Sequence, residues 1–163
     1  RRIGRLPEDR AVEIARQICA GLAAAHEQGF LHRDLKPANI MIDQRGEPVV
    51  MDFGLAFRLD DDATTRLTQQ STIVGTPAYM SPEQIDGKEV DGRTDVYSLG
   101  LVGYEMLLGH HPWEGENVFT TIFKQKNETL SLDLPGLDRF PALAHILEKA
   151  LEKERSQRQA ETA

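Results

Sequence analysis

A single cysteine, Cys19, excludes an internal disulfide in this 163-residue chain and fits a reducing compartment. It lies in an apolar helical pattern, where it reads as a packing residue. No apolar run approaches the ~20 residues a membrane span needs, so this segment is expected to make no membrane contact. Positive charge is not in excess either. The formal net charge of −7 disfavours nucleic acid and anionic membrane as partners. There is no internal repeat, no low-complexity segment and no GxGxxG anywhere. The histidines His26, His110, His111 and His145 form no metal-ligand cluster, and they read as surface or packing residues. An initiator Met and a signal-peptide core are also missing, and the last residues "KERSQRQAETA" end in helix formers without a cap. Both ends are therefore expected to be internal to a longer polypeptide.

What is present predicts one compact domain over residues 1–163, mainly α with a small β-hairpin. From Pro7, apolar residues recur at Val12, Ile14, Ala15, Ile18, Cys19, Leu22 and Ala25 with helical period, and Gly29 offers a stop. "NIMIDQRGEPVVMDFG" reads as two short strands, Ile40 to Ile42 and Val49 to Met51, around a turn containing Gly46. Asp95 to Gly109 is apolar on nearly every side, as befits a helix buried all round. Shorter helices are expected from Ser81, near Val118 to Lys126 and near Pro141 to Lys153. Residues 58–72 form a polar loop with five hydroxyl side chains.

The hairpin puts Asn39 just before its first strand and Asp52 just after its second, so their side chains can converge at one end. A hard divalent ion such as Mg²⁺ takes oxygen ligands and needs only one or two from protein when phosphates and water supply the rest. Asn39 and Asp52 offer such a pair. Asp34 would then be free to take a proton from an attacking hydroxyl, and Lys36 to offset charge on a transferring phosphoryl group. Taken singly, each has a plainer reading, a solvated charge or a turn amide. The combination points to phosphoryl transfer.

In order along the chain stand "HRDLKPAN", "DFG" at Asp52 to Gly54, "GTPAYMSPE", "DVYSLG" and "ERSQR". Together they resemble the eukaryotic-type protein kinases, in particular the bacterial serine/threonine kinases related to the receptor type. The likeness covers nearly the whole chain, but only as the family's larger C-terminal lobe, so the fold it implies is the helical half of an α+β domain. It implies an enzyme moving the γ-phosphate of ATP to Ser or Thr hydroxyls of a protein substrate, with Mg²⁺ or, as an alternative, Mn²⁺. By position, Asp34 resembles the catalytic base, Lys36 the phosphate-contacting lysine of serine/threonine kinases, and Asn39 and Asp52 the metal ligands.

Other positions carry over as support. Thr76 resembles the hydroxyl tying the substrate-docking loop to Asp34 and Lys36. His32 looks like the residue packing the catalytic loop onto the DFG segment, with Phe53 as a packing anchor and Gly54 completing the motif. Glu83 and Arg158 resemble a bridging ion pair, and Asp95 a helix-start carboxylate that holds the catalytic-loop backbone. Trp113 resembles an aromatic that closes the loop after the central helix. Arg33 before Asp34 goes, in the family, with control by phosphorylation of the activation loop, for which Thr68 and Thr72 are the candidate sites.

The family's glycine-rich ATP cover, its strand lysine and its helix glutamate have no counterpart here. The missing N-terminal lobe is thus an expected partner, and this chain alone is expected to be inactive. Ser81 also stands where alanine is usual. The location implied is cytoplasmic, either free or as the cytoplasmic domain of a membrane-anchored kinase. Two alternatives compete: a kinase-like interaction fragment without catalysis, against which the intact Asp34, Lys36, Asn39 and Asp52 argue, and a helical metal-dependent hydrolase, which the lack of a His/Asp cluster weakens.

Overall fold

A computed structural model describes residues 5–53, 77–113, 117–130 and 139–158. The first helix, α1 (Glu8–Glu27), follows Pro7, and Glu8 and Asp9 in its first turn complement the helix dipole. It ends where Gly29 turns left-handed at φ 76°. Ile14, Ile18 and Leu22 form its buried face. After a single 3₁₀ turn at Pro37–Asn39 come β1 (Ile40–Ile42) and β2 (Pro48–Val50), an antiparallel pair with Ile40 opposite Val50. β2 thus starts one residue before the predicted strand. The turn between them is closed by Asp43, whose Oδ1 accepts from the amides of Arg45 and Glu47, each at 2.8 Å. Gly46 supplies the positive φ the turn requires.

Four more helices complete the described chain: α2 (Pro82–Ile85), α3 (Gly92–Leu108), α4 (Val118–Asn127) and α5 (Pro141–Ala150). Ser81 caps α2 in a reciprocal box with Gln84. Asp91 caps α3, which therefore begins earlier than its apolar run, and Gly109 ends it in a left-handed turn. α3 is buried along 13 of its 17 residues, as a helix without a polar face should be. α1 packs on one side of it and α5 on another, and Tyr97, Leu101, Tyr104 and Met106 of α3 anchor the core. Gly100 lets α5 come close: a Cβ there would lie 3.1 Å from Ala150 Cβ and 3.1 Å from Leu151 Cδ2. Cys19 is half-buried, and burial pushes its thiol up, in keeping with a packing role. Mainly α with one small hairpin is the architecture the sequence predicts. Among the described residues no helix is long and apolar enough to cross a membrane.

Candidate active site

After Gly29 the chain leaves α1 and runs toward the hairpin, pinned by the buried side chains of Leu31 and Leu35. Between those two anchors, Asp95 in the first turn of α3 fixes the backbone. Its carboxylate, 0% exposed, accepts from the amides of His32 and Arg33, both at 2.9 Å. Arg33 takes φ 65°, a left-handed conformation that costs a non-glycine residue on the order of 1–2 kcal/mol. The Asp95 bond on one side and the Gln84 Nε2 bond to Arg33 O (2.7 Å) on the other hold it there.

Asp34, next in the chain, is partly buried, with 22% of its side chain exposed. Oδ2 receives Lys36 Nζ at 2.7 Å and Asn39 Nδ2 at 3.1 Å, and both bonds leave Oδ1 outside them. The same Asn39 Nδ2 donates to Asp34 O at 2.8 Å. Since the amide nitrogen is committed to Asp34, the oxygen of Asn39 is the atom left to act as a ligand. The three residues named from the sequence therefore form one hydrogen-bonded cluster, on a loop short enough for every bond within it to be local.

The hairpin carries Asp52 to the same end. Met51 N donates to Asn39 O at 2.8 Å, extending the ladder one step past the Ile40–Val50 pair, so Asn39 and Asp52 flank it. Asp52 is exposed and also left-handed, at φ 62°. His32 joins hairpin to loop. Its Nε2 lies 2.9 Å from Met51 O, which can only accept, so the proton sits on Nε2 and Nδ1 accepts from Asp34 N at 3.3 Å. The Phe53 ring meets His32 edge-on at 4.8 Å. An Asn oxygen and an exposed carboxylate are hard donors of the number Mg²⁺ takes from protein beside phosphates and water. Among the described residues no group of three or more His, Cys, Asp or Glu could hold a metal ion.

Behind the loop, Glu83 of α2 and Arg158 form a bidentate pair at 2.7 and 2.8 Å. Thr94 Oγ1 adds a bond to Glu83 Oε1 at 2.8 Å. Burial pushes the Glu83 carboxyl up, but the Arg158 hydrogen bonds and charge outweigh it and hold the group below its ordinary range. The Pro77–Tyr79 turn is tied to α3 by Ser98 Oγ, which donates to Tyr79 O at 2.8 Å, and His111 Nε2 bonds Ala78 O at 2.7 Å. Trp113 is buried as a packing residue, with Lys153 Nζ 3.5 Å above its ring. Desolvation, reinforced by the nearby Arg158 charge, lowers the Lys153 pKa to about 7.

Gly54, Thr68, Thr72 and Thr76 lie outside the described residues. The sequence reading passed over three contributors. Gln84 holds the Arg33 carbonyl of the loop, while His111 and His26, both read as surface or packing, bond Ala78 O within the Pro77–Tyr79 turn and, at 2.8 Å, Asp95 Oδ2. Nothing in the local pattern marks them, because each acts on a residue far along the chain.

Comparison with known proteins adds an independent line. A protein kinase domain model matches residues 1–162. The chain is 47% identical over 118 residues to a probable serine/threonine-protein kinase of Corynebacterium efficiens, covering 72% of this chain and 18% of that protein. It is 38% identical over 161 residues to the serine/threonine-protein kinase pkn2 of Myxococcus xanthus, covering 95% of this chain and 19% of that protein. With the serine/threonine-protein kinase PknB of Mycobacterium tuberculosis the identity is 42% over 125 residues, or 77% and 20% of the two chains. The chain thus spans about a fifth of the length of these relatives.

Proposed function

This chain belongs to the protein kinase domain family, and from that premise we propose that the whole protein is a serine/threonine kinase whose catalytic lobe lies in these residues. The observation that carries the proposal is the closed cluster around Asp34: an ammonium and an amide on one carboxylate oxygen, with Asp52 brought to the same end by the hairpin. In this reading Asp34 accepts the proton of the acceptor hydroxyl. Lys36 keeps positive charge beside the place where the phosphoryl group is transferred, and its bond to Asp34 holds the carboxylate in one orientation. Asn39 and Asp52 would hold a divalent ion, which when bound offsets phosphate charge. Asn39 also fixes Asp34, so base and metal ligand share one hydrogen-bonded unit. ATP, Mg²⁺ and a protein substrate on the cytoplasmic side complete the proposal.

Transfer of labelled γ-phosphate from Mg·ATP by the whole natural protein tests it. Label on Ser or Thr of an acceptor protein supports the reading. Phosphate release without acceptor labelling would point instead to a hydrolase, and neither activity to a non-catalytic binding protein.

A further inference from the structure

The peptide unit that joins Arg33 to Asp34 is planar, so fixing its carbonyl fixes the direction in which the chain enters Asp34. That unit is held at both ends. Its N–H, on Asp34, reaches His32 Nδ1 at 3.3 Å, a long bond. Its carbonyl, on Arg33, accepts from Gln84 Nε2 at 2.7 Å, the tighter of the two. The Asp95 carboxylate bonds the amides of His32 and Arg33, and these belong to the two peptide units before this one. Rotation about ψ of Arg33, one of the two torsions through which its left-handed conformation would relax, moves the carbonyl that Gln84 holds.

The Gln84 amide is itself clamped. Its Oε1 accepts from Ser81 N at 3.0 Å, and Ser81 Oγ lies 3.3 Å from the same oxygen and accepts from Gln84 N at 3.4 Å. Ser81 is fully buried. A main-chain carbonyl can only accept and a main-chain N–H can only donate, so the amide fits one way round, nitrogen to Arg33 and oxygen to Ser81. Turned over, it would set oxygen against oxygen and NH₂ against N–H. Ser81 lies just past the Pro77–Tyr79 turn, which Ser98 ties to α3 through Tyr79 O. One side chain thus bridges the end of that segment and the peptide unit in front of Asp34, although Gln84 and Arg33 stand 51 positions apart.

We propose that Gln84, oriented by Ser81, is a positioning residue for Asp34, acting through the Arg33 carbonyl. The proposal rests on the reading of Asp34 as the group that meets the acceptor hydroxyl, but its structural content can be measured separately. What the site needs is a donor at this place, not bulk. A side chain that fills the same space without an N–H leaves the Arg33 carbonyl facing apolar atoms, and the peptide unit turns to find water. Asp34 then swings with its backbone, and the error falls on the transfer step rather than on nucleotide binding.

Three variants of the whole natural protein test this: Gln84→Met, Gln84→Glu and Ser81→Ala. Methionine matches the length and bulk of glutamine without its polar atoms. Glutamate keeps the shape, but its carboxylate turns an oxygen on the Arg33 carbonyl until it is protonated, when it can donate there and accept from Ser81 N as glutamine does. We expect Gln84→Met to lower kcat by roughly 10- to 100-fold, the scale of an ångström misplacement, with KM for Mg·ATP nearly unchanged. Ser81→Ala removes the hydroxyl but keeps the backbone donor to Oε1, so its loss should be smaller. Amide hydrogen exchange at residues 32–34, taken relative to the unsubstituted protein at the same pH, should quicken in Gln84→Met throughout. In Gln84→Glu it should quicken at about pH 8 and return toward the unsubstituted rate at about pH 5, because burial and the facing carbonyl raise the introduced carboxyl. Residues 96–107 in the middle of α3 should keep their protection in every variant. Gln84→Met with the unsubstituted kcat, or with unchanged exchange at residues 32–34, would overturn the proposal. So would a Gln84→Glu deficit that does not change between the two pH values, the mark of a packing role. If Gln84→Met also loosens residues 96–107, the pH comparison in Gln84→Glu decides. If the unsubstituted protein transfers no phosphate, the kinase reading fails, and exchange at residues 32–34 alone then decides whether Gln84 holds the loop.

Discussion

Replacing Arg158 with methionine should be the most damaging change away from the reacting groups. The side chain is 0% exposed, and its five N–H donors meet five acceptors. Two are the Glu83 oxygens, and the others are the carbonyls of Glu152 at 2.7 Å, Lys153 at 3.0 Å and Arg93 at 3.2 Å. Methionine fills much of the volume but leaves Glu83 a buried carboxylate with Thr94 as its remaining side-chain donor. Breaking a buried pair by removing one partner costs about 3–5 kcal/mol. At about 2–4 °C per kcal/mol for a domain of this size, the transition given by this lobe should fall by about 6–20 °C in calorimetry of the whole protein. Glu83→Met combined with Arg158→Met should recover part of the loss, since no charge is then stranded. The pH dependence has a definite sign. The Glu83 pKa is depressed by folding, so its contribution is present above the ordinary glutamate value, about 4.3, and is lost as pH falls through the lower folded value. The deficit of Arg158→Met should therefore shrink in acid below about pH 4. A loss under about 1 kcal/mol at neutral pH, or a double variant as unstable as the sum of both singles, would refute the assignment of a buried, charge-stranding pair.

Two further outcomes are expected. Gly100→Ala should destabilise the lobe by about 1–3 kcal/mol in urea unfolding, because the added methyl meets Ala150 and Leu151 at 3.1 Å where α3 and α5 touch. Lys153→Met should gain stability relative to the unsubstituted protein as pH falls from about 10 to about 7 and gain no more below that. The folded state binds the Lys153 proton only near pH 7 while the unfolded chain binds it near 10.4, a difference that unfolding curves at stepped pH will show.

How much was legible beforehand follows from chain distance. The Asp34, Lys36 and Asn39 cluster spans six residues, so its bonds are local and the motif nearly writes its own geometry. The hairpin was legible for the same reason, with the polar turn and Gly46 between two apolar pairs. Glu83 and Arg158, 75 residues apart, could be paired only through family resemblance, and the resemblance placed them correctly. His26 and Asp95, 69 residues apart, were not paired at all. A lone histidine at the end of an amphipathic helix carries no periodic signal. Boundaries slipped where a side chain outvoted periodicity. α5 stops at Ala150 rather than Lys153 because the chain turns away to bring Lys153 Nζ to Gln125 O at 2.6 Å and its carbonyl to Arg158. The near-continuous apolar reading of α3 correctly foresaw burial, but buried Thr94, Ser98 and Glu105 are bonded rather than apolar, a distinction set by neighbours from other elements.

The central claim is that Asp34 takes the acceptor proton within a cluster that also holds the metal ligand. Single-turnover transfer from saturating Mg·ATP to a Ser/Thr acceptor, comparing the whole protein with its Asp34→Asn form, tests that claim most directly. Asparagine keeps the size and can still accept from Lys36 and Asn39, so fold and nucleotide binding should persist while the transfer step slows by about 10²–10⁴-fold. Transfer by Asp34→Asn within a few-fold of the unsubstituted rate, with nucleotide binding intact, would contradict the account.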